Sequence, residues 1–88
     1  MKIKDGFVLR KMPGMNIVMP AGAAAKEFRK TVVLNDTAAF IFELFQKGES
    51  PASASETVMK TYGIDHDTAA HAVEATASDL REAGLAVE

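Results

Sequence analysis

The chain has 88 residues, of which 48% are hydrophobic and 25% are charged, and its formal net charge at pH 7 is −2. This composition is typical of a folded globular protein, and the length predicts one domain over residues 1–88. The chain has no cysteine for disulfides or thiol chemistry, no apolar signal segment and no run of about 18 apolar residues to cross a membrane, so a cytoplasmic protein is predicted.

The charge is unevenly distributed along the chain. Residues 1–34 carry seven bases and two acids, a net charge of +5, whereas residues 35–88 carry three bases and ten acids, a net charge of −7. Such a division bears on association with partners more than on the fold.

Alternating side chains predict two strands in the first 20 residues. Phe7, Leu9 and Lys11 alternate with Val8 and Arg10, which predicts a half-buried strand at about 6–12. A second strand follows over residues 15–20. The Pro13-Gly14 turn between them is expected to be wider than a two-residue hairpin, because L-proline favours a turn of the wrong twist.

A third, very short strand is predicted at residues 30–34. It follows an alanine-rich connector over residues 21–30, which is either a loop or a brief helical turn. Within the strand, Val32 and Leu34 are expected to face the core and the intervening residues to face the other way. A strand this short is expected to leave one edge of the sheet open.

Three helices follow the strands, and residues suited to helix caps predict their ends. The first begins at Asn35 or Asp36 and ends at Gly48, the second runs from Ser50 to Gly63, and the third runs from Asp65 to just before Gly84. The first is almost entirely apolar and is therefore predicted to be the core helix. Alanines flank the apolar arc of the third, which allows close packing or leaves a shallow groove. Strands followed by helices predict an α+β fold with a three-stranded antiparallel sheet and three helices.

The residues give little support for catalysis. The glycines fit no phosphate-binding spacing, and His66 and His71 lie about 140° apart around a helix, too far to share a metal readily. Asp65 and Asp67 suit the N-terminus of a helix, where negative charge is stabilised. We therefore expect a protein that is not an enzyme and that holds no cofactor or metal.

Three helices beside a small sheet also suggest a winged helix, so a DNA-binding regulator has to be considered. The third predicted helix carries a single base, Arg81, against five acids, which are Asp65, Asp67, Glu74, Asp79 and Glu82. Because a helix that reads DNA lies close to phosphates, this charge disfavours nucleic-acid binding. The bases lie instead in the strand region, where they suit an acidic peptide.

Three segments of the chain resemble the PqqD family, named for protein D of pyrroloquinoline quinone (PQQ) biosynthesis. They are residues 1–10, residues 33–40 with the sequence Val-Leu-Asn-Asp-Thr-Ala-Ala-Phe, and residues 79–85 with the sequence Asp-Leu-Arg-Glu-Ala-Gly-Leu. The resemblance covers essentially the whole chain. It implies a winged-helix-like module without catalytic activity that recognises the leader of a ribosomally made precursor peptide. It also implies delivery of that leader to a modifying enzyme, commonly a radical S-adenosylmethionine enzyme, in the biosynthesis of PQQ or of another modified peptide.

The resemblance further implies that the leader adds as a strand to the third strand, beside the third helix, which is β-augmentation. The residues expected to bind the peptide are Thr31, Val32, Val33 and Leu34 in the strand, Ala70, Val73, Ala77 and Arg81 in the groove wall, and Arg29 and Lys30 as attractants of leader carboxylates. A structural dimerisation module and the DNA-binding regulator are the alternatives. An open strand edge also allows two copies of the chain to pair as a homodimer.

Overall fold

The computed structural model describes residues 2–22, 24–27 and 31–87, and within these ranges it contains five strands and four helices. In chain order the elements are β1 (Lys2–Ile3), β2 (Phe7–Arg10), β3 (Asn16–Pro20), α1 (Ala24–Glu27), β4 (Val32–Leu34), α2 (Asp36–Gln46), α3 (Pro51–Tyr62), α4 (His66–Glu82) and β5 (Ala86–Val87). The predicted α+β architecture is confirmed, with β2, β3 and β4 as the three strands and α2, α3 and α4 as the three helices.

Strands β2, β3 and β4 form an antiparallel sheet with β3 in the middle. Arg10 lies opposite Ile17 across β2 and β3, and Ile17 lies opposite Val33 across β3 and β4. The loop between β2 and β3 spans residues 11–15, so the connection is wider than a two-residue hairpin, as expected. Strand β2 (Phe7–Arg10) is correspondingly shorter than the predicted span of about 6–12.

The ends of the chain pair with each other in a second, two-stranded sheet that was not predicted. Ile3 of β1 lies opposite Ala86 of β5, and the Lys4 N–H donates to the Leu85 carbonyl at 2.8 Å. Ile3 is 7% exposed and Leu85 is fully buried, so this pairing covers one side of the core. Strands of two residues have too little alternation to be recognised from sequence.

Each long helix begins at a residue whose side-chain oxygen accepts a hydrogen bond from a backbone N–H three positions later. Asn35 accepts from Ala38 at 2.8 Å, Ser50 from Ser53 at 3.1 Å and Asp65 from Thr68 at 2.8 Å. The side chain and the backbone N–H of Thr68 both lower the pKa of the Asp65 carboxyl by stabilising its charged form. The choice between Asn35 and Asp36 is thereby settled in favour of Asn35.

The hydrophobic core lies around α2, as its apolar sequence predicted. Ile41 and Phe42 have no exposed surface and Phe45 is 1% exposed, and they pack with residues from α3, α4 and the sheet. Phe40 lies at the margin of this core, where its ring meets the ring of Tyr62 edge to face with 5.7 Å between centroids. No helix among the described residues is both long and apolar enough to cross a membrane.

A buried asparagine fixes the junction between β4 and α2. Asn16 is 3% exposed, and its side-chain amide donates to the Leu34 carbonyl at 3.2 Å and to Asp36 Oδ1 at 2.8 Å. The same carboxylate oxygen accepts from the Gly14 N–H at 3.2 Å. Asp36 therefore connects the loop between β2 and β3 to the start of α2. Asn16 ties the last residue of β4, Leu34, to the same hydrogen-bond network.

Candidate functional site

Strand β4 lies at one edge of the three-stranded sheet. In the part of the chain that the structure describes, β3 is its only strand partner. An edge strand presents a row of backbone N–H and C=O groups that another chain can pair with. The predicted strand at residues 30–34 is thus observed as Val32–Leu34, while Arg29 and Lys30 lie outside the described residues.

The register identifies which backbone groups of β4 face outward. In antiparallel strands, hydrogen-bonded pairs alternate with pairs that direct their backbone groups away from each other. The Ala21 N–H donates to the Gly6 carbonyl at 2.8 Å, which by this alternation makes Arg10 and Ile17 a hydrogen-bonded pair. The backbone of Ile17 therefore points toward β2, and the N–H and C=O of Val33, which lies opposite Ile17, point away from the sheet.

The side chains of β4 alternate as the sequence predicted. Leu34 is 5% exposed in the core, and Val32 is half-buried against it. Val33 is 60% exposed on the outer face of the sheet, and Thr31 is also exposed. Val33 thus combines an exposed side chain with an outward-facing backbone, which makes it the centre of the open edge.

A groove of about 170 Å³ continues from the end of β4 and lies between the first turn of α2 and α4. Its lining consists mostly of short side chains, which are Asn35, Thr37, Ala38, Ala72, Ala75, Thr76 and Asp79. The groove exists because these positions carry alanine and threonine where longer side chains would fill the space. Asn35, which directly follows Leu34 of β4, is the residue of the lining that is closest to the strand in the sequence.

The α4 residues that line this groove differ from those that the sequence predicted to bind the peptide. Val73 and Ala77 have no exposed surface and belong to the core, so they form no groove wall, and Ala70 is half-buried outside the lining. Arg81 is exposed, but it lies about 200° around the helix from Asp79. The physical reason is that α4 packs through the arc containing Val73 and Ala77, which leaves Ala72 and Ala75 facing the first turn of α2.

A larger depression of about 380 Å³ lies on the other side of α2, under the β2–β3 loop. Its lining is formed by Lys11, Met12, Pro13, Asn16, Asp36, Ala39, Phe40, Glu43 and Tyr62. Lys11 and Glu43 form an ion pair at 2.8 Å, and Asp36 already accepts two hydrogen bonds. This depression adjoins the hairpin loop rather than the open edge of β4. Among the described residues, no three His, Cys, Asp or Glu side chains are grouped to hold a metal ion.

Comparison with known proteins identifies solved structures that share this fold. No curated protein matches the chain. The solved structure "TbiB1 in Complex with the TbiA(beta) Leader Peptide" is similar with a TM-score of 0.74 at 18% identity, covering 97% of this chain and 93% of that one. The structure "Lasso peptide synthetase B1 complexed with the leader peptide" is similar with a TM-score of 0.73 at 21% identity, covering 99% of this chain and 96% of that one.

The match to a protein family covers the part of the chain that contains the open edge and the groove. The family is described as coenzyme PQQ synthesis protein D (PqqD), and the match extends over residues 17–86, from the second residue of β3 to the first residue of β5. The resemblance noted in the sequence is thereby confirmed: this chain belongs to the PqqD family.

Proposed function

We propose that this protein binds the leader region of a ribosomally synthesised precursor peptide as an additional strand on β4 and presents it to a modifying enzyme. The observation that carries the proposal is the open edge of β4, where the Val33 N–H and C=O face outward and the groove between α2 and α4 begins at Asn35, directly after the strand. Membership of the PqqD family and the fold shared with two leader-peptide complexes support it. In this mode, backbone hydrogen bonds supply affinity and side-chain pockets supply selectivity.

The edge is well prepared for such a strand. The amide of Asn16 holds the carbonyl of Leu34, and Asn35 caps α2 immediately after β4, so the position of the strand is fixed before a peptide arrives. Preorganisation of this kind reduces the ordering cost of binding. An added strand lies about 4.8 Å from β4, and its side chains alternate between the groove and the outer face beside Val33.

We propose a binding role without catalysis, in which a partner enzyme of the radical S-adenosylmethionine type supplies the chemistry and PQQ or another modified peptide is the product. The proposed binding residues are Thr31, Val32, Val33 and Leu34, with the groove residues Ala38, Ala72, Ala75, Thr76 and Asp79 as the helical wall. Arg29 and Lys30 precede β4 in the sequence and are proposed to attract leader carboxylates. Ala70, Val73, Ala77 and Arg81 are not part of this revised site.

The two alternative functions make different use of the same fold. The acidic character of α4 opposes DNA binding, because the helix that would enter the groove of a duplex carries one base against four acids between His66 and Glu82. Pairing of β4 with a second copy uses the same backbone groups as the leader. We therefore propose that any homodimer formed through β4 competes with the peptide.

The proposal is tested by titrating the ¹⁵N-labelled protein with the synthetic leader of a short precursor peptide encoded beside its gene. The amide resonances of residues 31–38 and of the groove side of α4 are expected to shift, since an added strand contacts both. The amide resonances of Lys11 and Met12 provide the internal control, because these residues line the other depression. If β4 and α4 remain unaffected at about 1 mM peptide, which corresponds to a weak interaction of roughly 4 kcal/mol, the proposed site is wrong.

Filling the groove is expected to block the peptide without affecting the fold. Ala75 is exposed and lines the groove, so Ala75→Trp places a large ring in a space of about 170 Å³. We expect leader affinity to fall at least about tenfold, while the free energy of unfolding changes by about 0.5 kcal/mol or less, as is usual for a surface substitution. Isothermal titration calorimetry and urea unfolding measure the two quantities.

The matched control for this variant is Ala52→Trp. Ala52 is also an exposed alanine on a helix, but it lies on α3 and does not line the groove. It is expected to bind the leader as the wild-type protein does. Equal binding by Ala75→Trp and wild type would show that the leader does not pass beside α4.

A further inference from the structure

Asp79 is the charged residue that lines the groove between α2 and α4. Its side chain is exposed, and no described residue forms an ion pair or a side-chain hydrogen bond with it. The other lining residues carry alanine methyls, threonine hydroxyls or an amide that already caps α2. The groove therefore has a largely neutral floor of short side chains and a single carboxylate at its rim.

Among residues 2–22, 24–27 and 31–87, no base forms an ion pair with this carboxylate. The base nearest to it in the sequence is Arg81, which projects from another face of α4, about 200° around the helix. Glu82 lies on the next turn, about 60° around the helix from Asp79, and adds negative charge to the same side of α4. A peptide strand that passes along this wall therefore meets a negative potential close to apolar surface.

Lysine and arginine are the side chains that suit both features of the wall. Their methylene stems lie along apolar surface while the charged head reaches outward to a carboxylate or to water. The groove volume of about 170 Å³ accommodates one such stem, and Ala38, Ala72 and Ala75 give it short side chains to pack against. An acidic leader residue at the same position would instead be repelled by Asp79.

We infer that the leader carries a lysine or arginine at a position that faces the groove, and that Asp79 selects it by pairing with its charged head. This inference rests on the proposed function, since it assigns the chemistry of one side chain within the same peptide site. Asp79 is then a specificity-determining residue. Its contribution is selectivity at one leader position, whereas the backbone of β4 provides the general affinity for an extended chain.

The experiment uses a phage-displayed library of random 12-residue peptides, selected in parallel on the wild-type protein and on Asp79→Lys. Peptides that still bind Val33→Pro are removed from each pool, so that only those requiring the outward N–H of β4 remain. Glu74→Lys is the matched control, because it makes the same change of charge at an exposed position of α4 outside the groove. The frequency of each residue type at each aligned position is then compared between pools.

Peptides selected on the wild-type protein are expected to contain lysine or arginine at one aligned position. That preference is expected to be lost or replaced by aspartate and glutamate on Asp79→Lys, and to be retained on Glu74→Lys. For one selected peptide, Asp79→Asn is expected to weaken binding about fivefold, as for an ion pair at a surface. The same loss is expected when the basic residue of the peptide is replaced by methionine, with no further loss when both changes are combined.

The outcomes separate this inference from the proposed function. Pools that depend on the β4 edge but have the same residue preferences on the wild-type protein and on Asp79→Lys overturn the role of Asp79 and leave strand addition intact. Failure to obtain any peptide that depends on the Val33 N–H overturns strand addition itself, and the role of Asp79 with it. A preference that disappears equally on Glu74→Lys shows a general charge effect and also contradicts the inference.

Discussion

Replacement of Val33 by proline is expected to weaken leader binding strongly while the protein remains folded. The Val33 N–H faces away from β3, so a leader strand would accept from it, and proline has no N–H to donate. In a strand as short as Val32–Leu34 few outward groups are available, and the loss also leaves a leader carbonyl without a partner. The expected cost is about 2–4 kcal/mol, which lowers the affinity roughly 30-fold or more.

The fold tolerates this change for the same geometric reason. Because Val33 makes no backbone hydrogen bond to β3, proline there removes none of the bonds that hold the sheet together. Prolines in sheets are found on edge strands, with the N–H side facing solvent. Circular dichroism and thermal unfolding of Val33→Pro should therefore resemble those of the wild-type protein.

Two controls separate the role of the backbone from that of the side chain. Val33→Thr retains the N–H and a β-branched shape, so it is expected to bind the leader with little change. Val32→Pro removes an N–H that faces β3, so it is expected to destabilise the sheet itself. Leader binding by Val33→Pro with wild-type affinity would exclude strand addition at β4.

Replacement of Phe42 by alanine is expected to have the largest effect on stability. Phe42 has no exposed surface and lies in the core between α2, α3, α4 and the sheet. Truncation of a buried phenylalanine costs about 3–5 kcal/mol because it removes apolar contacts and leaves a cavity. If the free energy of unfolding is near 5 kcal/mol, the lower end of the range for native proteins, Phe42→Ala is left with about 0–2 kcal/mol and is marginally stable at 25 °C. Urea unfolding followed by circular dichroism measures the change.

Phe40 provides the comparison within the same helix. It is half-buried and contacts Tyr62, a residue that is itself 45% exposed, so Phe40→Ala leaves a surface depression rather than a closed cavity. The expected cost is about 1–2 kcal/mol, near the value of an aromatic pair with partial burial. Equal destabilisation by the two variants would mean that the packing around α2 differs from the one described.

The helix boundaries were predictable from sequence because capping is local. Ser50 and Asp65 bond to an N–H three residues later in the same segment, and Gly63 ends α3 with φ of 64° in the left-handed region that glycine favours. The sequence left two candidates, Asn35 and Asp36, for the N-cap of α2 for a different reason. Both residues suit a cap, and the distant Asn16 and Gly14 engage the carboxylate of Asp36.

The orientation of α4 was not predictable from sequence because alanine suits both the core and the surface. The apolar arc around Val73 and Leu80 was identified correctly, since both have no exposed surface. Which alanine flank of α4 packs in the core and which one borders the groove depends on how α2 and α3 contact α4. That choice placed Ala77 in the core and Ala75 in the groove, so the groove lining differs from the residues predicted to bind the peptide.

The pairing of β1 with β5 was missed for a related reason. Each strand has two residues, and their register joins positions at opposite ends of the chain. No local pattern marks such a contact, which depends on α2 and α4 having brought the two ends together. Ile3 and Leu85 are therefore core residues through the tertiary structure.

By itself, the sequence determined the α+β class, the core helix, the helix caps and the likeness to the PqqD family, because alternation, helical periodicity and capping act between residues close in the chain. Only the tertiary structure decided the site. The Val33 backbone points outward because of the register in which β2 pairs with β3 and β3 pairs with β4. The face of α4 that lines the groove depends on how α4 is rotated where it packs against α2 and α3. Both depend on contacts between residues distant in the chain, which no local pattern encodes.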